Sequence, residues 1–206
     1  TPSNSSAASD VYKRQVFNCM NTDKICIFTD TGKMHTIKAV DIPLGRFRDK
    51  GTPVDNLSNY DSSQERMLYV APVGQLRSDR LLFVTKTSMC KLVEGAEFDV
   101  AKRTIASTKL ADEDELIFIG SASEMEQIVL QSHGGCFLRF LTQEVSTMKK
   151  TALGVRGMKL ADDDYLEHAY LLAGHQEYTI SYHDKEYALN KVRLAKRDTK
   201  GIKPRI

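Results

Sequence analysis

The chain has 206 residues, and its 29 Lys and Arg against 27 Asp and Glu leave it nearly neutral. A hydrophobic share of 41% can fill a core, but no apolar run approaches the roughly 20 residues of a membrane-spanning helix, which excludes an integral membrane protein of that kind. Balanced charge also removes the simplest argument for nucleic-acid binding, a strongly basic chain, so any such case rests on where the cations lie.

Residues 1–15, TPSNSSAASDVYKRQ, are poor in large apolar side chains and rich in Ser and Ala, the composition of a segment that does not fold. Asp10-Val11-Tyr12-Lys13-Arg14-Gln15 is also the translation of GAT-GTG-TAT-AAG-AGA-CAG, and Ser5-Ser6-Ala7-Ala8-Ser9 that of TCG-TCG-GCA-GCG-TCA. Together they resemble a transposase sequencing adapter read in frame. Residues 1–15 are therefore expected to be disordered and foreign to the natural chain. Residues 16–206 are expected to be a fragment of something longer.

From Lys24 onward the chain repeats itself. ICIFTDTGKMHTIKAVDIP from Ile25, LLFVTKTSMCKLVEGAEFD from Leu81 and IVLQSHGGCFLRFLTQEVS from Ile128 share one pattern, and YTISYHDKEYALNKVRL from Tyr178 is a weaker copy. Each is an apolar strand, a polar tight turn and a second strand, with Gly32, Ser88, Gly134 and Asp184 at the turns. LADEDEL at 110–116 and LADDDYL at 160–166 repeat in the same way, each leading into an apolar strand. The pattern predicts units near 24–72, 80–122, 127–174 and 177–206, each with a hairpin, a basic loop and a second strand pair around an acidic turn. No stretch carries a sustained helical period. Units of about 50 residues with four short strands each imply an all-β, propeller-like array. The chain has no Trp, which weighs against propellers built on a Trp-Asp signature.

Little in the chain has the spacing of a chemical site. Cys19, Cys26, Cys90 and Cys136 form no C-x-x-C pair, which argues against zinc. Widely spaced thiols without a signal sequence fit a reducing cytoplasm. The acidic triplets lack the alternation and distal Glu of a calcium loop. His35, His133, His168, His175 and His183 accompany no metal motif, and no phosphate-binding glycine loop is present. No catalytic residue is expected, and no metal site.

FTDTGK at 28–33, Asp41-Ile42-Pro43, Gly51-Thr52-Pro53-Val54, Leu82-Phe83-Val84-Thr85-Lys86 and above all GVRGMKLADDD at 154–164 resemble the C-terminal domain of the A subunits of bacterial type IIA topoisomerases. The resemblance runs from about Asp23 to Ile206. It implies a β-pinwheel, a propeller-shaped disc of four-stranded blades whose rim binds and bends DNA. About four blades are visible, and the disc is expected to be truncated on its N-terminal side. The resemblance also implies a parent enzyme that passes one duplex through another. Its ATP and magnesium would sit in other regions, with no cofactor in this fragment. Its partners would be double-stranded DNA, the topoisomerase B subunit, and another copy of the A subunit bound through the missing N-terminal region. The gyrase box Q-x-R-G-G-x-G has no copy here; RFRDKG at 46–51 and KRDTKG at 196–201 carry Asp where the box has Gly. That departure favours a topoisomerase IV-like chain over gyrase. A propeller-like protein-interaction scaffold is the alternative of a different class.

Wrapping DNA requires phosphate neutralisation spread over a curved surface, without base reading. The candidate contacts recur along the chain. They are Lys33, Lys38, Arg46, Arg48 and Lys50 in the first unit, and Lys86, Lys91, Lys102 and Arg103 in the second. Arg139, Lys149, Lys150, Arg156 and Lys159 belong to the third, and Lys191, Arg193, Lys196, Arg197, Lys200 and Lys203 to the tail, with Arg205 beyond them. The acids gather at Asp112 to Glu115 and Asp162 to Asp164, which is expected to separate positive and negative charge onto different edges.

Overall fold

Apolar runs bounded by turn residues become the central strands of stacked sheets. The computed structural model describes residues 17–46, 48–174 and 176–204. The adapter reading of residues 1–15 and the candidate Arg205 lie outside them. The strands are β1 (Lys24–Thr29), β2 (Lys33–Lys38), β3 (Met67–Pro72), β4 (Arg80–Thr85), β5 (Met89–Glu94), β6 (Thr104–Ala106) and β7 (Leu116–Ser121). They continue as β8 (Gln127–Ser132), β9 (Phe137–Leu141), β10 (Val155–Arg156), β11 (Leu166–Leu172), β12 (Thr179–Tyr182) and β13 (Lys185–Ala188). A single helical turn, Val73–Leu76, and short 3-10 segments complete the regular structure among the described residues. The fold is all-β, as the sequence predicts.

All strand pairs are antiparallel, in four sheets ordered β3-β1-β2-β6, β10-β5-β4-β7, β11-β8-β9 and β12-β13. Contrary to the sequence expectation, the segments flanking each acidic turn do not pair with each other. β6 leaves its own unit and adds to β2 of the preceding hairpin, whereas β7 returns to β4. β10 likewise adds to β5, and β11 returns to β8. The last segment extends the third sheet at two isolated points: Ile202 and Phe137 exchange N–H···O bonds of 2.8 Å, and Leu194 bridges Arg139 in parallel, with the Ala195 N–H donating to the Arg139 carbonyl at 2.8 Å. Each unit thus lends an arm to the sheet before it. The physical cause is the free edge of each hairpin: β2, β5 and β9 have unpaired backbone groups that the next arm satisfies.

The central strands β1, β4 and β8 are buried along almost their whole length because each sheet is covered on both faces. Alternation then divides their side chains between two cores. Leu81 and Phe83 face Cys26, Phe28, Met34 and Phe98 in one cluster, while Leu82 and Val84 face Ile128, Leu130, Leu138 and Phe140 in the next. Val129, Phe137, Leu172, Leu189 and Val192 form a third cluster, packed with half-buried Tyr170, Tyr178, Ile180, Tyr182 and Tyr187. Each fully buried aliphatic or aromatic side chain contributes roughly 1.5–3 kcal/mol.

The hairpin turns need a left-handed residue, and Gly32, Ser88 and Gly135 supply it with φ of 73°, 73° and 78°. In the third unit this is the second glycine of the pair rather than Gly134, the position read from sequence. Ser88 carries the conformation with its backbone fully engaged, as Gly157 donates to its carbonyl and the Met158 N–H donates to its hydroxyl at 2.7 Å.

Candidate nucleic-acid interface

Arms laid along the sheet edges bring together cations that are far apart in sequence. Pairing of β6 with β2 sets Lys33 opposite Ala106, and the Thr36 N–H donates to the Arg103 carbonyl at 2.8 Å. Lys33, Lys38, Lys102 and Arg103 are therefore neighbours on the edge of the first sheet, all exposed. Arg46, Arg48 and Lys50 are exposed on the loop that follows β2. Lys159 lies beyond β10, and Lys191, Arg193, Lys196, Lys200 and Lys203 lie on the segment crossing the third sheet, again all exposed. Among the described residues none of these cations forms an ion pair. Free, exposed cations are the material of phosphate contact.

The other candidates are spoken for. Lys91 is a correction: it is 1% exposed, on the inward face of β5, so it cannot meet DNA. Its ammonium donates to the Lys150 and Ala152 carbonyls at 2.8 and 2.7 Å and lies 5.7 Å from the Phe83 ring centroid. Burial pulls its pKa down to about 8. The Arg139 guanidinium donates to the Asn190 carbonyl, Lys150 to the Glu97 carbonyl, and Arg197 to the Glu144 and Arg156 carbonyls. Carboxylates engage the rest: Lys86 with Glu115 at 3.0 Å, Lys149 with Glu97 at 3.3 Å, and Arg156 with both oxygens of Asp198. These side chains hold arms and turns together.

Much of the acid is also turned inward, onto the hairpin tips. Glu65, buried, accepts from the Thr29 and Thr31 hydroxyls at 2.8 Å and from His35 Nε2 at 2.7 Å. Burial raises its pKa, but those hydroxyls, with His35 and Lys33, more than offset this and hold the carboxyl below the usual range. At the corresponding place Asp114 accepts from the Thr87 hydroxyl at 2.6 Å, and Asp164 from the Gly134 N–H at 2.8 Å. Burial likewise pushes Asp164 up, and bonds from Ser132, Gly134 and Tyr165 bring it below the ordinary value. Asp112, Glu113, Asp162 and Asp163 stay exposed on the linking turns. The expected charge separation is thus incomplete, because those acids closely follow the arms in sequence.

Reasoning from clusters missed Lys109 and Lys185, both exposed and without an ion pair among the described residues. The signal for Lys109 was available: it precedes LADEDEL as Lys159 precedes LADDDYL. The thiols offer no reactive alternative. Cys26 and Cys90 are buried, and burial pushes each pKa up to about 12. No helix is long and apolar enough to cross a membrane among the described residues.

Comparison with known proteins bears on this geometry. The family model described as DNA gyrase C-terminal domain, beta-propeller, matches residues 23–62, 79–123 and 126–173. The DNA gyrase A subunit of Ureaplasma parvum serovar 3 is 29% identical over 199 residues, covering 94% of this chain and 23% of that protein. The DNA topoisomerase 4 A subunit of Bacillus subtilis is 29% identical over 153 residues, 73% of this chain and 19% of that protein. The chain spans about a quarter or less of the length of the curated relatives it matches. Among solved structures, the crystal structure of the C-terminal domain of DNA topoisomerase IV superposes with a TM-score of 0.80 at 23% identity. That superposition covers 95% of this chain and 65% of that one, a likeness of fold.

Proposed function

Since the chain belongs to the family of the DNA gyrase C-terminal domain, a β-propeller of the type IIA topoisomerase A subunits, we propose that it binds duplex DNA without sequence preference and bends it along the sheet edges. The observation that carries the proposal is the division of its cations. Those on the arms and edge strands, such as Lys33, Lys38, Lys102, Arg103, Lys196 and Lys200, are exposed and form no ion pair among the described residues, whereas those at hairpin tips and arm roots are engaged by carbonyls or carboxylates. Backbone contacts distributed over a rigid curved edge bind by counterion release and impose their own curvature on the duplex.

In the parent enzyme this domain would hold and bend the DNA segment to be transported, within a cytoplasmic assembly of two A subunits with their B subunits. ATP and magnesium would be bound by other regions, which would also supply the chemistry of strand cleavage. The Asp residues in RFRDKG and KRDTKG, where the gyrase box has Gly, favour a topoisomerase IV-like role. A gyrase role is the second reading, favoured by the name of the Ureaplasma parvum relative.

Fluorescence anisotropy of the full chain with two unrelated duplexes, across a salt series, tests the proposal. With six or more phosphate contacts, affinity should fall by about 10³-fold or more between 50 and 200 mM salt, equally for both sequences. Energy transfer between the labelled ends of the duplex should rise on binding. A folded chain that leaves both duplexes free at low salt would overturn the DNA reading and leave the scaffold.

A further inference from the structure

Three segments far apart in sequence converge beside the third and fourth hairpin tips. The pairing of Ile202 with Phe137 carries Lys203 and Pro204 to the turn of the third hairpin. The tip of the fourth hairpin, from Tyr182 through Lys185, reaches the same turn. It approaches so closely that a side chain at Gly135 would collide with the Tyr182 hydroxyl. Between them is an open groove of about 480 Å³ lined by Gly134, Gly135, Tyr182, His183, Lys185, Lys203 and Pro204.

Its chemistry is one-sided. Two exposed lysines, a tyrosine and a histidine line the groove, and none of the lining residues is acidic. Neither lysine forms an ion pair among the described residues. The groove floor is a glycine turn without side chains, with its N–H groups already committed to Asp164 and Ser132. An anion seated here would therefore be bound by side chains. A volume of about 480 Å³ exceeds that of a single tetrahedral anion and leaves space for the flanking atoms of a polymer. Lys203 has counterparts in Lys109 and Lys159, each delivered by an arm to the preceding hairpin turn. In this groove the lining residues include a second lysine, Lys185, from the next hairpin.

We propose that this groove seats a phosphodiester of the DNA backbone, gripped by Lys185 and Lys203 from opposite sides and by the Tyr182 hydroxyl. The proposal rests on the DNA-binding reading and adds to it a particular anchor, in which Lys185, Tyr182 and the groove itself are new. The test compares the double variant Lys185→Ala, Lys203→Ala with Arg66→Ala, Arg77→Ala, which removes equal charge from arginines already paired with Asp30 and Asp99. All are exposed, and an unchanged melting curve establishes that each variant is folded. Because both lysines grip a single phosphodiester, the groove variant should lower the slope of log affinity against log salt by about 0.9, and the control by less than half of that. Lys185→Arg, Lys203→Arg should restore the slope. A wild-type slope in the groove variant overturns the anchor while leaving the DNA reading intact; a wild-type chain that binds no duplex overturns both. Inorganic pyrophosphate offers a further check. If it shifts the Tyr182 and His183 resonances while the duplex slope is unaffected by the groove variant, the site takes a free anion and the proposal fails.

Discussion

The junction between the second and third sheets and the junction between the third sheet and the fourth hairpin use corresponding strands with different side chains. In the first, Leu82, Val84, Ile128, Leu130, Leu138 and Phe140 are at most 2% exposed, and they meet as a continuous aliphatic and aromatic layer. In the second, Val129, Phe137 and Leu172 meet a fourth hairpin whose strands carry half-buried Ile180, Tyr182 and Tyr187. The fourth hairpin also remains two-stranded among the described residues, whereas the second sheet has four. The same architecture thus grades from a deep junction to a shallow one. Cooperative units with fewer buried contacts open first.

The largest test of this gradient is a pair of truncations. Phe140→Ala should cost about 3–5 kcal/mol, as large buried aromatics do, while Ile180→Ala should cost about 1 kcal/mol, half or less of a fully buried aliphatic. Urea unfolding midpoints measure both. Similar costs would remove the distinction, and native-state hydrogen exchange should find the fourth hairpin opening before the second.

The arms extend the contrast, because each is held by a different device. The first arm is pinned by the buried His35–Glu65 pair, with His35 Nδ1 also 3.1 Å from the Thr104 hydroxyl. Glu65→Ala leaves His35 buried without its carboxylate and should cost about 3 kcal/mol. Because the folded carboxyl titrates below its ordinary value, its contribution is present at neutral pH and lost as pH falls through the folded pKa. Thermal unfolding should therefore show the advantage of wild type over Glu65→Gln shrinking as pH falls below roughly 4.3.

Lys91 works with the opposite sign. Its folded pKa of about 8 is below the unfolded value, so the unfolded chain binds more protons between about pH 8 and 10.4, and stability rises with pH there. Relative to Lys91→Met, wild type should gain about 1–3 kcal/mol between pH 7 and 10.4, read from unfolding midpoints. A flat difference would mean that the ammonium is not held as described. The smallest effect belongs to the third arm, where the Arg156–Asp198 pair is exposed to solvent. Asp198→Asn should leave the unfolding midpoint within measurement error.

What was legible in the sequence follows from the range over which the physics acts. The hairpins could be read because two-sided burial makes β1, β4 and β8 continuous apolar runs and because their turns need polar or glycine residues. The third turn was misassigned by one position, since Gly134 and Gly135 are equivalent in composition and only the backbone distinguishes them. The arms were not legible: β6 is followed by an acidic turn and β7, and local reading pairs neighbours, whereas the edge that β6 satisfies belongs to a hairpin much earlier in the chain. Lys91 was assigned to the surface because it is a lysine. Its register gives it away, for it sits three residues past Ser88 as His35 does past Gly32 and Leu138 past Gly135, and all three are at most 2% exposed. The groove could not be read at all, because Gly135, Lys185 and Lys203 meet only through the crossing of the last segment over the third sheet.

If free edge cations, rather than cations in general, bind DNA, the salt dependence of duplex affinity distinguishes two full-length variants that lose edge charge or anchored charge. Replacing Lys33, Lys38, Lys102 and Arg103 with Ala should flatten the slope of log affinity against log salt by roughly 3–4. Replacing Lys86, Lys149 and Arg156, which already face Glu115, Glu97 and Asp198, should flatten it by less than about 1. Equal flattening per charge removed in the two variants would contradict this division of the cations.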